Sequence, residues 1–258
     1  MRDKGQASRY IQPDWPAPAN VVAISTCRDL TANELPVGLA GFNLARHVRD
    51  DLVRVEQHRL QLQQNLGLER QPFWLNQTHS TNLLQLPAAA GLYDCDGSFT
   101  QEKNWPCVVM TADCLPVLLC DLSGTQVAAV HAGWQGLANG IVGKAVGQFE
   151  HPSQVIAWLG PAIGPQAFEV GADVLAAFGV DPSLPISEFT AISGKPNKWL
   201  GDLYALARKE LLSLGVASVH GGEYCTVTDP HRFYSHRRDP ASGRMASLIW
   251  LKSQGKAP

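Results

Sequence analysis

The run Leu115-Pro-Val-Leu-Leu-Cys-Asp-Leu-Ser-Gly-Thr-Gln-Val-Ala-Ala-Val-His131 limits the fold of this chain more than any other stretch. Two apolar runs flank Asp121-Leu122-Ser123-Gly124, a cluster of turn formers, and such a pattern folds as an antiparallel hairpin. Opposed residues of a hairpin keep a constant index sum, so a turn centred between positions 122 and 124 sets His131 against a residue between 113 and 117. Cys114 falls in that range. Opposed Cβ atoms lie roughly 4.5–5.5 Å apart and diagonal ones roughly 7–8 Å, so a thiolate and an imidazole placed there reach one small ion. A slip of one residue would turn one of them to the other face.

Short β-like runs bounded by turn residues recur at 21–26, 73–76, 107–111, 115–120, 126–131, 154–159, 223–227 and 245–250. Between them, Leu52, Val55, Leu62 and Leu66 repeat at helical spacing, as do Ile141, Ala145 and Phe149, and Leu200, Leu203, Leu206, Leu211 and Leu214. Three strands within 107–131 leave no room for crossover helices, which favours an α+β fold rich in antiparallel hairpins over a doubly wound parallel sheet. With 45% hydrophobic residues, the 258-residue chain can bury a full core. No linker or repeat divides it, so the expectation is one catalytic domain over 21–258 behind a flexible segment at 1–20.

Charge and cysteine usage narrow the function classes. Twenty-one basic against 23 acidic side chains create no broad cationic field, which argues against nucleic-acid and anionic-membrane partners. The first ten residues lack the apolar core of a secretory signal, and no stretch approaches the ~18 apolar residues of a membrane span, so a cytoplasmic protein is expected. Six cysteines without any C-x-x-C read as reduced thiols, most of them small core residues.

Reactive side chains stand at strand ends in Thr111-Ala112-Asp113-Cys114 and in Val130-His131-Ala132-Gly133-Trp134, and a third candidate, His79, follows a short strand. Taken singly, Cys114 reads as a buried hydrophobe and His131 as a hydrogen-bonded strand end. Taken together, two imidazoles and one thiolate form a three-ligand set that suits zinc with a fourth position open. H-E-x-x-H, G-x-S-x-G and the H-x-E…P-C-x-x-C deaminase signature are all absent, as is G-x-G-x-x-G. Residues 138–145 lack the first Gly and the last Ser/Thr of a phosphate loop. The glycines at 133 and 136 open either a tight turn or a helix start that faces an anion. Arg237-Arg238-Asp239 is either a solvated turn or a bidentate grip on phosphate or carboxylate.

The blocks Gln77-x-His79, Thr111-Ala112-Asp113-Cys114-Leu115-Pro116-Val117, Ala129-Val130-His131-Ala132-Gly133-Trp134, Leu159-Gly160-Pro161-Ala162-Ile163-Gly164-Pro165, Phe168-Glu169-Val170-Gly171, Tyr234-Ser235-His236-Arg237-Arg238-Asp239 and Ser242-Gly243-Arg244-Met245 occur in one order. In that combination the chain resembles the laccase-domain, or polyphenol-oxidase-like, family, which includes bacterial peptidoglycan editing factors and proteins assigned as purine nucleoside phosphorylases. The resemblance implies a four-layer α-β-β-α sandwich with mixed sheets, and metal ligands at His79, Cys114 and His131. It also implies phosphorolysis of adenosine, inosine and methylthioadenosine, with adenosine deamination and an older copper-laccase assignment attached.

On that basis zinc is the expected cofactor, with copper as the alternative. Cys114, His131, Asp113 and Arg28 are the expected catalytic residues, and Asn43, Gln77, Gly133 and Arg238 the expected substrate-binding ones. Arg28, Arg238 and the Gly133 turn are the candidates for phosphate, and Asp113 for orienting a ligand. The expected partners are a purine nucleoside and phosphate, on a monomer. Three positions depart from the family pattern: Asp29-Leu30-Thr31-Ala32 follows Arg28 where glycines are usual, Ser80 replaces a glycine, and Gln135 replaces an arginine, which removes a permanent cation. Two other readings use the same residues. One is a Cys-His hydrolase of peptidoglycan precursors, with Cys114 activated by His131. The other is a copper polyphenol oxidase, disfavoured because eight histidines without an H-x-H pair supply few sites for several coppers.

Overall fold

A computed structural model of the chain describes residues 9–30, 34–35, 37–184 and 186–253. In chain order it forms β1 (Tyr10–Ile11), β2 (Val21–Thr26), α1 (Leu52–Asn65), β3 (Leu83–Leu86), β4 (Gly97–Thr100), β5 (Cys107–Thr111), β6 (Leu115–Asp121) and β7 (Val127–Ala132). Then come α2 (Trp134–Ala138), α3 (Ile141–Val146), β8 (Val155–Leu159), β9 (Glu169–Val170), α4 (Ala172–Ala177), β10 (Phe189–Ala191), β11 (Trp199–Gly201), α5 (Leu203–Ser213), β12 (Ser218–Gly221) and β13 (Met245–Leu251).

Two sheets stack face to face. One runs β1-β2-β13-β5 and the other β12-β8-β6-β7-β4-β3, with a small third sheet, β10-β11-β9, to the side. Most pairings are antiparallel, but β12–β8 and β3–β4 are parallel, so the large sheet is mixed. Strand alternation sends side chains to two different cores. Leu118 and Cys120 of β6 and Val127 and Ala129 of β7 meet Cys107, Val109 and Ile249 of the other sheet. Val117, Leu119, Ala128 and Val130 instead meet Ile141, Val142 and Leu211 of α3 and α5. On the far side, Ile24, Val108 and Leu248 pack on Leu62 of α1. The result is the four-layer α-β-β-α sandwich. Strands buried on both faces explain why β6 and β13 read as nearly unbroken apolar runs.

The expected strands at 21–26, 107–111, 115–120, 126–131, 154–159 and 245–250 and the three helices are present within a residue or a few at their ends. Three expected segments differ in the structure. Of the segment 1–20 expected to be flexible, residues 1–8 lie outside the described residues, and Tyr10 and Ile11 pair with Thr26 and Ser25 at the sheet edge. Positions 223–227 form no strand: their carbonyls accept from the Arg238 guanidinium and the Tyr204 hydroxyl, and β12 takes the place beside β8. At 73–76 only Asn76 bridges, to Asp94, and the contact to β5 is made instead by the Gln77 amide, which pairs with both the N–H and the carbonyl of Met110. Among the described residues, no helix is long and apolar enough to cross a membrane.

Leu62 is fully buried between α1 and the four-stranded sheet. Leu62→Ala is expected to lower unfolding free energy by about 2–5 kcal/mol, read from the denaturant midpoint at unchanged slope.

Candidate metal centre and its cavity

The centre lies at one end of the sandwich, between the two sheets. In the β6–β7 register His131 faces Pro116, inside the expected window, so Cys114 sits diagonally from it, one residue before β6 begins. Alternation keeps both on the side that faces the four-stranded sheet. His79 arrives from the loop ahead of β3, with φ near 60°, a left-handed conformation that is uncommon outside glycine. The ligand atoms of His79, Cys114 and His131 all lie within 4.8 Å of one another. Cys114 Sγ is 3.7 Å from His79 Nε2, and the two imidazole rings meet edge to face with centroids 4.9 Å apart. Gly133 makes this convergence sterically possible: a Cβ there would stand 2.9 Å from His79 Cδ2 and 3.1 Å from Cys114 Sγ.

A carboxylate absent from the expected set holds the group together. Asp96 is completely buried and accepts hydrogen bonds from the backbone N–H groups of Thr78 (3.1 Å), His79 (3.0 Å) and Ser80 (2.6 Å). It also accepts from Ser80 Oγ at 2.8 Å. On its other side it accepts from His131 Nδ1 at 2.8 Å, which leaves Nε2 with its lone pair available to an ion. Asp113, the expected orienting acid, does something else. Its carboxylate accepts from Thr226 Oγ1 (2.5 Å) and the Arg237 N–H (2.6 Å), tying two loops to the cavity wall.

Burial alone would raise the Asp96 carboxyl, but the bonds from His131 and Ser80 hold it down to about 2. Burial likewise opposes charge on Cys114 and His131, yet their mutual attraction, with His79 and Asp96 assisting, draws the thiol down to about 6 and lifts the imidazole to about 9. By contrast, burial pushes Cys107 and Cys120 up to about 12. A thiolate and two imidazoles, one fixed by a carboxylate, can hold a metal ion, and this donor set fits a borderline-soft divalent cation.

Two cavities meet at this group, one of about 190 Å³ and one of about 180 Å³, and both are lined by His79, Ala112, Cys114 and His236. Both expose more apolar than polar surface; the first, called here the polar lobe, carries His47, Gln77 and Arg244 beside Met110, and the second is the more apolar, with Trp134, Ile163, Phe168, Leu203 and Arg237. Neither lobe alone reaches the ~300 Å³ of an ordinary ligand site, and the two share four lining residues.

Several expected site residues have other work. Arg28 is fully buried, stacks on Tyr234 and donates to the carbonyls of Ala40 and Gly38. Arg238 donates to the carbonyls of Thr226, Val227 and Phe233. Both arginines serve the loops, and neither lines the two lobes. Asn43, also fully buried, bonds Ala45 and Asp50 and accepts from the Arg244 N–H at 2.9 Å, so it braces a cavity residue and does not face the cavity. Gln77 lines the polar lobe, with its amide engaged by Met110. Gly133 begins α2, a five-residue helix; its role is the space it leaves beside the ligands.

Asp96 is absent from the expected site residues and Arg244 enters the sequence reading only within a motif block, with no role of its own, yet the strand register places each beside the centre. Gly97 pairs with Val130, so Asp96 falls opposite His131. Met245 pairs with Thr111, so Arg244 falls opposite Ala112, two residues from Cys114. Gly-Ser-Phe-Thr of β4 is too weakly apolar to announce a strand.

The family model for multi-copper polyphenol oxidoreductase laccase matches residues 23–252. A purine nucleoside phosphorylase of Haemophilus influenzae is 42% identical over 243 residues, covering 94% of this chain and 99% of the relative. One of Pseudomonas aeruginosa is 44% identical over 244 residues, covering 94% and 98%. A crystal structure of a Neisseria meningitidis protein superposes with a TM-score of 0.87 at 44% identity, covering 95% of this chain and all of that one.

Asp96→Asn is expected to weaken metal binding by about 10–100-fold while the far-ultraviolet circular dichroism stays unchanged. From pH 7 to about 9 the empty Cys114–His131 pair carries one proton, held as imidazolium, which a bound ion must displace. Metal affinity should therefore rise about tenfold per pH unit over that window and level off above it, as read from competition with a chelator of known proton linkage.

Proposed function

The chain belongs to the multi-copper polyphenol oxidoreductase laccase family, and from that premise we propose that it is a purine nucleoside phosphorylase acting on adenosine, inosine and methylthioadenosine, with zinc as its resident ion. The relatives named for this activity support the reaction class. The observation that carries the reading is the pair of lobes that share His79 and Cys114, one walled by Trp134, Ile163 and Phe168 and the other holding His131, His47, Gln77 and Arg244. Phosphorolysis forms a bond from a phosphate oxygen to C1′ of the ribose while the C1′–N9 bond breaks. The electron pair of that bond leaves with the purine, which takes up a proton. The enzyme must therefore hold a flat apolar base and an anion on opposite sides of one carbon.

Trp134, Phe168 and Ile163 wall the lobe that suits the base, and Asp113 fixes the loop of Arg237 along the same wall. Between the lobes, His79, Cys114 and His131 would hold the ion, which when bound supplies Lewis acidity toward a substrate oxygen. Asp96 keeps the His131 proton on Nδ1 and the His79 loop in place. Among the described residues there is one such group of three donors, a set for a single ion, whereas multicopper oxidation needs several coppers and correspondingly more imidazoles.

A second reading rests on the order Cys114, His131, Asp96, which also arranges a nucleophile, a base and the carboxylate that orients it. In that reading the protein is a hydrolase attacking an amide, with a peptidoglycan precursor as its substrate, and His79 is dispensable.

Metal-replete protein given inosine and phosphate should release hypoxanthine and ribose 1-phosphate. His79→Ala should abolish the bound metal and cut that turnover at least about 100-fold. Amide hydrolysis that survives His79→Ala would select the hydrolase, and ammonia release from adenosine without any phosphate requirement would assign the centre to deamination.

A further inference from the structure

With Arg28 and Arg238 committed to backbone carbonyls, the phosphate of the proposed reaction lacks the cations first expected for it. Arg244 differs from both. It lines the polar lobe together with all three metal-ligating side chains. Only its Nη1 is engaged, donating to the carbonyls of Ser242 (2.7 Å) and Gly243 (3.0 Å). Among the described residues no acceptor takes Nε or Nη2, and no carboxylate forms an ion pair with this guanidinium. The other cavity arginine, Arg237, reaches over the Phe168 ring and donates to the Glu169 carbonyl in the apolar lobe.

The root of Arg244 is rigid. Its backbone N–H is held by the buried Asn43 Oδ1, and it directly precedes β13, which is fully buried. Gly243 lets the chain pass, since a Cβ there would stand 2.7 Å from the Tyr234 ring and 2.9 Å from Asn43. Burial lowers the pKa of the guanidinium from its ordinary value. The charges of Cys114 and Asp113 partly offset that burial, but neither bonds the guanidinium directly, and its two free donor groups on one edge match two oxygens of a tetrahedral oxyanion.

We propose that Arg244 is the phosphate-binding residue of this enzyme, holding inorganic phosphate by its Nε and Nη2 edge in the polar lobe, with His47 at the same wall. The inference rests on the phosphorylase reading for the identity of the anion. The position agrees with that chemistry: an anion on Arg244 and a base against Trp134 and Phe168 would occupy two neighbouring lobes that share His79 and Cys114.

The test uses the full-length, metal-replete protein and variants Arg244→Gln and Arg244→Lys, with metal content and thermal unfolding measured on each. Calorimetric titration with inorganic phosphate alone reads binding, and steady-state rates with varied inosine and phosphate read KM for each. Arg244→Gln should weaken phosphate binding and raise KM for phosphate by about 10–100-fold, with KM for inosine changed little. Arg244→Lys, which keeps the charge without the fork, should fall between. Phosphorolysis with an unchanged KM for phosphate in Arg244→Gln would overturn the assignment and leave the phosphorylase reading standing. Phosphate binding that depends on Arg244 in a protein without phosphorolysis would do the reverse. Inosine 5′-monophosphate is the second probe: Arg244-dependent binding of it, with none of inorganic phosphate, would assign the lobe to a nucleotide and sink the proposal. Should Arg244→Gln lose metal or unfold, Arg244→Lys with metal bound carries the same comparison, and wild-type affinity for phosphate in it would count against the fork.

Discussion

One buried carboxylate governs the geometry of the centre. Asp96 takes hydrogen bonds from three consecutive backbone N–H groups of the His79 loop and from the His131 ring, so it fixes a ligand on a loop relative to a ligand on a strand. Its own place is set by sheet register, because the His131 N–H donates to the Asp96 carbonyl at 2.7 Å. A charge this deep in protein is tolerated because its oxygens are shared among several donors. The left-handed backbone of His79 persists for the same reason: three hydrogen bonds in a row over-determine the loop.

The stacked sheets supply the frame. Residues that enter the cavity, Cys114 and His131 from one sheet and Met110, Thr111 and Arg244 from the other, come from strand ends of a doubly buried sandwich. Such ends move little, which suits chemistry that depends on sub-ångström placement. The loops add what the strands cannot, as Asp113 shows by pinning Thr226 and the backbone of Arg237.

Much of this was legible in the sequence. The hairpin around Asp121–Gly124 brought Cys114 and His131 together by index arithmetic alone, and the register missed direct opposition by two residues. The apolar runs that flag strands did so because burial on both faces leaves no polar alternation to confuse them. What stayed hidden was relational. Gly-Ser-Phe-Thr gave no reason to expect β4, so the carboxylate just ahead of it had no visible partner. Arginines at 28, 238 and 244 look alike on the page, and only the disposition of nearby carbonyls decides which guanidinium is spent on its own loop and which is left open.

The Gln77 amide leads elsewhere. β5 is the outer strand of its sheet, and by pairing with the N–H and carbonyl of Met110 this one side chain stands in for a neighbouring strand. Open strand edges recruit other chains, and Gln77 lies two residues from His79. The loop that Asp96 holds beside the three donors therefore also covers a β-edge, and the same anchor that shapes the centre keeps that edge from a second chain.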